Sequence, residues 1–198
     1  MTDNNRLIQI EADPLTIFRD WFELAKKKEI NNPNAMTLST ISKDQSPNSR
    51  VVLLKSFDKN GFVFYTNSNS KKGHAIKFNK FVALNFHWKS LKRQIKIEGC
   101  ANLLSNIESD EYYNTRPFES RIGAWASKQS EKLEDRSTLL KKFNDMKEIF
   151  EKKKLTRPDY WNGYLVDPCL IEFWQEMPFR LHDRLEYNKN EKGWSITR

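Results

Sequence analysis

The chain has little of what a metal-based or nucleophile-based catalyst needs. Its 198 residues include two cysteines and three histidines. Cys100 and Cys169 lie far apart and match no zinc spacing. They read as reduced core thiols of a cytoplasmic protein. His74, His87 and His182 share no ligand spacing either, so the sequence offers no metal site. There is no GxSxG elbow, no Walker loop and no GxGxxG turn. No apolar run is long enough to span a bilayer. The opening MTDNNRLIQIEADP lacks the basic start and apolar stretch of a secretory signal. Hydrophobic residues are only 38% against 30% charged, so a core must lean on large rings. Thirteen Phe, six Trp and six Tyr supply them.

Net charge is +8, which suits nucleic acid, a phosphorylated small molecule or a solvated basic surface. Runs such as Lys26-Lys27-Lys28 and Lys152-Lys153-Lys154 read as solvated helix ends. NGFVFYT has a weak likeness to an aromatic RNA-binding strand, but the small residue expected after the first aromatic is absent, and so is a βαββαβ order. The expected partners therefore include neither nucleic acid nor membrane.

Local pattern predicts a helix over 13–30, with Asp13 as cap, Pro14 in the first turn and Phe18, Trp21, Phe22 and Ala25 as its apolar stripe. From Met36 the pattern becomes strand-like: MTLSTIS, RVVLLKSF, GFVFYT, FVALNFHW and LKRQIKIEGCANLL, most of them separated by turn residues. A short helix is expected in SNSKKGHAIKFNK, then helical pieces over 106–154 broken at Pro117. Three strands close the chain: GYLVD, LIEFWQ continued through RLHDRLEY, and GWSIT. Short turns between most strands argue against a parallel βαβ array. The expectation is one unit over residues 1–198, mainly β, a small barrel with peripheral helices, its strands falling in 36–104 and 163–198.

Four stretches could carry chemistry. RVVLLK is an apolar strand with Arg50 and Lys55 at its ends. It reads as a buried strand whose charged ends reach water, and the two cations can serve one ligand only across a strand end or a bulge. YTNSNSKKGH puts hydroxyls, Lys71 and Lys72 at a helix start, which suits a phosphate and equally suits a capped surface helix. In YYNTRPFES, Pro117 should end one helix at Arg116 and leave Ser120 in the first turn of the next. Tyr112, Arg116 and Ser120 would then converge, again on a phosphate or merely at an exposed corner. In RLHDR, Arg180, His182 and Arg184 alternate and would share one strand face, walled by Trp174 and Phe179, with Asp183 on the other face. Two cations there want an anion, and His182 reads as a hydrogen-bonding group.

RVVLLK, YTNSNSKK, LKRQIKIEG, YYNTRPFESRIGAWASKQS and EFWQEMPFRLHDR occur in this order over nearly the whole chain. Together they resemble the pyridoxine (pyridoxamine) 5′-phosphate oxidase family. The resemblance implies a split β-barrel that forms a homodimer, with FMN sites at the subunit interface. It implies that Arg50, Lys55, Tyr65, Thr66, Lys71, Lys72, Gln94, Gln129, Ser130, Trp174 and Arg184 surround FMN. It implies that Lys55, Tyr112, Arg116 and Ser120 meet the substrate phosphate, and that Arg180 and His182 lie over the substrate ring as the catalytic pair. The implied reaction is oxidation of pyridoxine or pyridoxamine 5′-phosphate to pyridoxal 5′-phosphate, with dioxygen as acceptor and hydrogen peroxide as product. The alternative is a flavin-binding relative that acts on, or carries, another small molecule. The chain departs from the family at Lys71, often arginine; at Arg121, often glutamine; and at Glu176-Met177, usually small glycines.

Overall fold

In the computed structural model the described residues are 6–127 and 135–198. Helix α1 spans Pro14–Lys28. Asp13 caps it by accepting from the Leu15 N–H, and its last turn holds Lys26, Lys27 and Lys28, where positive charge favours the helix dipole. The strands are β1 Ala35–Ile41, β2 Pro47–Leu53, β3 Ser56–Asp58, β4 Gly61–Asn67, β5 Phe81–Trp88, β6 Arg93–Leu103, β7 Trp161–Gln175, β8 Asp183–Asn190 and β9 Gly193–Thr197. Helix α2, Lys71–Phe78, joins β4 to β5; α3 Asn106–Thr115, α4 Phe118–Ala126 and α5 Arg136–Glu151 lie between β6 and β7. Among the described residues, no helix is long and apolar enough to cross a membrane.

Strand order is β2-β1-β5-β6-β7-β4-β3, with β8 on β7 and β9 on β8, and the paired strands are antiparallel. The sheet divides at β7. Its first half, from Trp161 to Val166, pairs with β4, and its second half, from Leu170 to Gln175, pairs with β8. β6 runs along the other edge of β7 with a register shift at Glu98/Gly99. This forked sheet is the split barrel that the resemblance implied.

The core lies under α1. Phe18 is fully buried and meets Phe57, Phe62 and Phe86 edge-on, with ring centroids 4.7, 4.9 and 5.4 Å away. Trp21 packs on Phe173 at 5.4 Å. Edge-to-face contacts add about 0.5–1.5 kcal/mol per pair beyond burial, so the rings compensate for the modest aliphatic content.

Three sequence expectations change here. RVVLLK is not a buried strand: β2 is an edge strand, Val51 is 66% exposed, and the strand stops at Leu53, leaving Leu54 just beyond it as the run's one core residue. GYLVD and LIEFWQ form one strand: the ladder to β6 runs on through Pro168, paired with Gly99, and a bulge that leaves Cys169 unpaired takes up the register shift beside the proline. The same bulge turns Cys169 outward, so it is exposed and Cys100 is half-buried; both are free thiols, but neither is a core residue.

Candidate active site

The corner that holds Tyr112, Arg116 and Ser120 follows from Pro117. The residue before a proline avoids the helical region, and Arg116 is accordingly extended, with φ −76° and ψ 148°. Helix α3 therefore ends there, and α4 restarts at Phe118. Tyr112 lies in the last turn of α3 and Ser120 in the first turn of α4, as predicted.

Two adjoining cavities open at this corner. One of about 330 Å3 is lined by Thr66, Arg116, Ser120 and Trp161, among others. The other, about 250 Å3, adds Lys55, Lys72 and Tyr112. Tyr65 borders both. Its ring stacks on Tyr112 at 4.1 Å and on Trp161 at 5.0 Å, and the three planes lie within 18° of one another. Gly163, opposite Tyr65 on β7, makes the stack possible: a Cβ there would lie 2.7 Å from Tyr65 Cε1. Cations flank the rings, with Arg116 4.7 Å from the Trp161 centroid and Lys55 6.0 Å from that of Tyr112.

Among the described residues, none that lines either cavity is acidic. Burial lowers the pKa of Arg116, against the opposing influence of Tyr112 and Tyr113. Lys72 is 8% exposed, and its pKa is lowered first by burial and then by the charge of Arg50. Burial also lowers Arg50, whose Nη1 donates to Leu38 O at 3.1 Å and Thr40 Oγ1 at 2.8 Å. Arg116 Nη1 is buried without a hydrogen-bond partner among the described residues. A buried donor left unmade costs about 1–3 kcal/mol, and a phosphate oxygen would satisfy it. The donor set therefore fits a phosphorylated ligand.

The hydroxyls at the start of α2 are differently occupied. Ser70 Oγ caps the helix by accepting from Gly73 N–H, and Lys72 Nζ donates to it at 3.2 Å. Ser68 Oγ donates to Tyr160 O. Thr66 is the hydroxyl that lines the cavities, and Lys71 lies exposed in the first turn of α2. Lys55 follows the end of β2, so it and Arg50 are related across a strand end.

A second cluster lies elsewhere on the sheet. Gln94 on β6, Trp174 on β7 and Arg184 on β8 are direct cross-strand neighbours in one row. His182 packs on Trp174 with centroids 4.7 Å apart, and its Nδ1 accepts from Met177 N–H at 3.3 Å. Within this chain the row lines neither phosphate-corner cavity.

The reading of RLHDR as one strand is corrected. β7 ends at Gln175, Pro178–Arg180 form a 3-10 turn, and Phe179 and Arg180 adopt left-handed φ of 58° and 61°. Strand β8 begins only at Asp183, so Arg180 and His182 precede it and Arg184 alone of the three lies within it. Phe179 is 92% exposed and walls nothing within the chain. Arg184 is not unpaired: its Nη1 donates to Glu172 Oε2 at 3.1 Å. Asp183 does face away, accepting from Ile8 N–H at 2.6 Å and pairing with Arg198 at 3.2 Å. Glu176 pairs with Lys92. Gln129 and Ser130 lie outside the described residues. Sequence reasoning missed Trp161 and Glu172. The first is hidden because an aromatic at a strand start reads as core. The second could have been found from its i, i+2 relation to Trp174, which puts both on one strand face.

A forked antiparallel barrel whose cation-lined cleft has no acidic lining side chain among the described residues is a fold and site that fit phosphorylated ligands. The comparisons narrow that class. The family described as "Pyridoxamine 5′-phosphate oxidase" matches residues 23–150, and the "Pyridoxine 5′-phosphate oxidase C-terminal dimerisation region" matches residues 161–198. The pyridoxine/pyridoxamine 5′-phosphate oxidase of Caulobacter vibrioides is 48% identical over 188 residues, covering 95% of this chain and 85% of that one. That of Granulibacter bethesdensis is 50% identical over 187 residues, covering 92% and 88%. Among solved structures, PhzG from Burkholderia lata 383, in complex with tetrahydrophenazine-1-carboxylic acid, superposes with a TM-score of 0.90 at 28% identity, covering 98% of each chain. A pyridoxamine 5′-phosphate oxidase-related, FMN-binding protein from Nostoc punctiforme shares the fold, with a TM-score of 0.75 at 13% identity, covering 95% of this chain and 98% of that one. The chain belongs to the pyridoxamine 5′-phosphate oxidase family.

Proposed function

We propose that this chain oxidises pyridoxine 5′-phosphate or pyridoxamine 5′-phosphate to pyridoxal 5′-phosphate, with FMN as cofactor and dioxygen as acceptor. The carrying observation is the cation-lined cleft in which Arg116 and Lys72 are desolvated and, among the described residues, no lining side chain is acidic and Arg116 Nη1 has no partner. That observation supports a phosphate ligand, and the near-50% identity to oxidases named for B6 phosphates selects which one.

In this reading Lys55, Tyr112, Arg116 and Ser120 hold the substrate phosphate. Charge-assisted hydrogen bonds compensate the desolvation of the cations. Arg50, Lys55, Tyr65, Thr66, Lys71 and Lys72 hold FMN, and Gln94, Gln129, Ser130, Trp174 and Arg184 complete its surroundings. Arg180 and His182 orient the substrate ring. His182 Nδ1 is engaged by Met177 N–H, so Nε2 is the nitrogen left for substrate. When bound, FMN would supply the two-electron redox chemistry that oxidises the substrate 4′ carbon, with dioxygen as final acceptor and hydrogen peroxide as product. The side chains contribute position and electrostatics. An amine substrate also releases ammonia after hydrolysis.

The whole chain, 1–198, acts as one FMN-binding unit in a homodimer, with each site drawing on both protomers. The match of residues 161–198 to a dimerisation region supports that assembly. A cytoplasmic location suits the exposed thiol of Cys169. The test is the visible spectrum of the purified protein, followed by addition of pyridoxine 5′-phosphate and measurement of peroxide. A flavin spectrum with peroxide is expected. Flavin without peroxide would favour a relative acting on another molecule, and a colourless protein that takes up no FMN would refute the reading.

A further inference from the structure

Just before Trp161, one charged residue lines neither phosphate-corner cavity and yet is almost fully covered. The Arg157 side chain is 6% exposed. Its Nε donates to Asp110 Oδ1 at 2.6 Å, and its Nη2 to Asn106 Oδ1 at 2.9 Å. Its Nη1 donates to Trp161 O and to Asn162 Oδ1, both at 2.8 Å. Asn106 and Asp110 are one turn apart on α3, whose far end carries Tyr112 and Arg116. Trp161 and Asn162 open β7, and the Trp161 ring lies under the Arg116 guanidinium. One planar fork thus joins the helix that delivers Arg116 to the strand that carries its ring support.

We propose that Arg157 is a positioning residue for the substrate phosphate: by locking α3 to the head of β7, it fixes the Arg116 guanidinium over Trp161. This rests on the reading that Tyr112, Arg116 and Ser120 receive that phosphate. Four acceptors from two elements need the rigid, planar donor set of arginine, which a lysine ammonium cannot reproduce. An ordinary exposed ion pair would be a weak tether. Here the exposed carboxylate of Asp110 is only one partner of four.

The test uses the FMN-loaded protein with Arg157→Met and Arg157→Lys, each alone and in an Arg116→Ala background. A displacement of about 1 Å at a positioned group can cost about a hundredfold. Arg157→Met is therefore expected to raise KM for pyridoxine 5′-phosphate by about 10- to 100-fold, with kcat little changed and FMN content unchanged. The dissociation constant of pyridoxal 5′-phosphate, measured at equilibrium, should rise by the same factor. Arg157→Lys should restore little of it. In the Arg116→Ala background the Arg157→Met effect should largely vanish, because residues acting through one another are not additive. Should Arg157→Met fail to fold, Asp110→Asn weakens one bond at an exposed carboxylate and is judged by the same cycle. A full, additive loss in the Arg116→Ala background, or a loss confined to kcat or FMN content, overturns the proposal while leaving the function standing. Absence of turnover by the unaltered FMN-loaded protein overturns both.

Discussion

Replacing Arg116 by Met should separate stability from binding, and the structure sets the size of each effect. In the ligand-free protein Arg116 Nη1 is a buried donor without a partner among the described residues, at a cost of about 1–3 kcal/mol. Against this stands the stacking of the guanidinium on Trp161 at 4.7 Å, which contributes about 0.5–2 kcal/mol. Methionine keeps the apolar stem and still packs on the ring. The ligand-free protein should therefore gain about 1 kcal/mol, which for a chain of this size raises Tm by about 2–4 °C. Binding moves the other way. Two charge-assisted hydrogen bonds from the guanidinium contribute about 1.5–3 kcal/mol each. Their loss should weaken binding of pyridoxal 5′-phosphate by about a hundredfold or more. The assays are thermal unfolding without ligand and an equilibrium titration with the product. A fall in Tm of several degrees would show that Arg116 is structural, and unchanged product affinity would remove it from the site.

Gly163→Ala would place a methyl 2.7 Å from Tyr65 Cε1 and Leu104 Cδ1. The ring stack should shift, costing about 1–3 kcal/mol in urea unfolding, together with product affinity; unchanged values of both would show that Gly163 sets neither. Asp183→Asn removes the charge from a carboxyl that is 3% exposed and holds Ile8 N–H and Arg198. A destabilisation approaching the ~3–5 kcal/mol of a broken buried pair is expected by chemical denaturation, less where Arg198 reaches water. Because the folded pKa of Lys72 is lowered, the free protein sheds that proton earlier than an ordinary lysine. Affinity for a phosphorylated ligand should hold at neutral pH and fall as pH rises through that titration, and Lys72→Met should flatten the profile. Tyr113 is fully buried, donates to Arg121 O, and is pushed up to about 12, chiefly by burial. Its contribution to stability should persist below its unfolded value near 10 and be lost between there and about 12, read by denaturation at stepped alkaline pH.

Much of this was legible because the signals were local. Pro117 alone dictates the break that brings Tyr112, Arg116 and Ser120 together, and no distant contact can override a missing N–H. The α1 stripe was legible for the same reason, its 3.6-residue period surviving in Phe18, Trp21 and Ala25. RLHDR failed because alternation was applied where no strand exists. The positive φ values fall on Phe179 and Arg180, not on the glycine or asparagine that usually marks them. RVVLLK failed because an apolar run does not reveal whether a strand lies at an edge or in the middle. That depends on its order in the sheet, which local sequence does not encode. The pairing of Arg184 with Glu172 depends on the β7–β8 register, a long-range property of the same kind.

Strand β7 carries Trp161 at its head and Trp174 near its tail. At about 3.3 Å per residue, they are separated by roughly 40 Å of backbone. Along a strand that stays extended, a molecule the size of a nucleotide does not reach from one to the other. In the proposed reading, where one FMN meets residues from both ends, the head of one protomer would be brought against the tail of the other. In that reading a lone protomer would hold two half-sites, and dilution below the dimer's dissociation constant should silence it without unfolding anything.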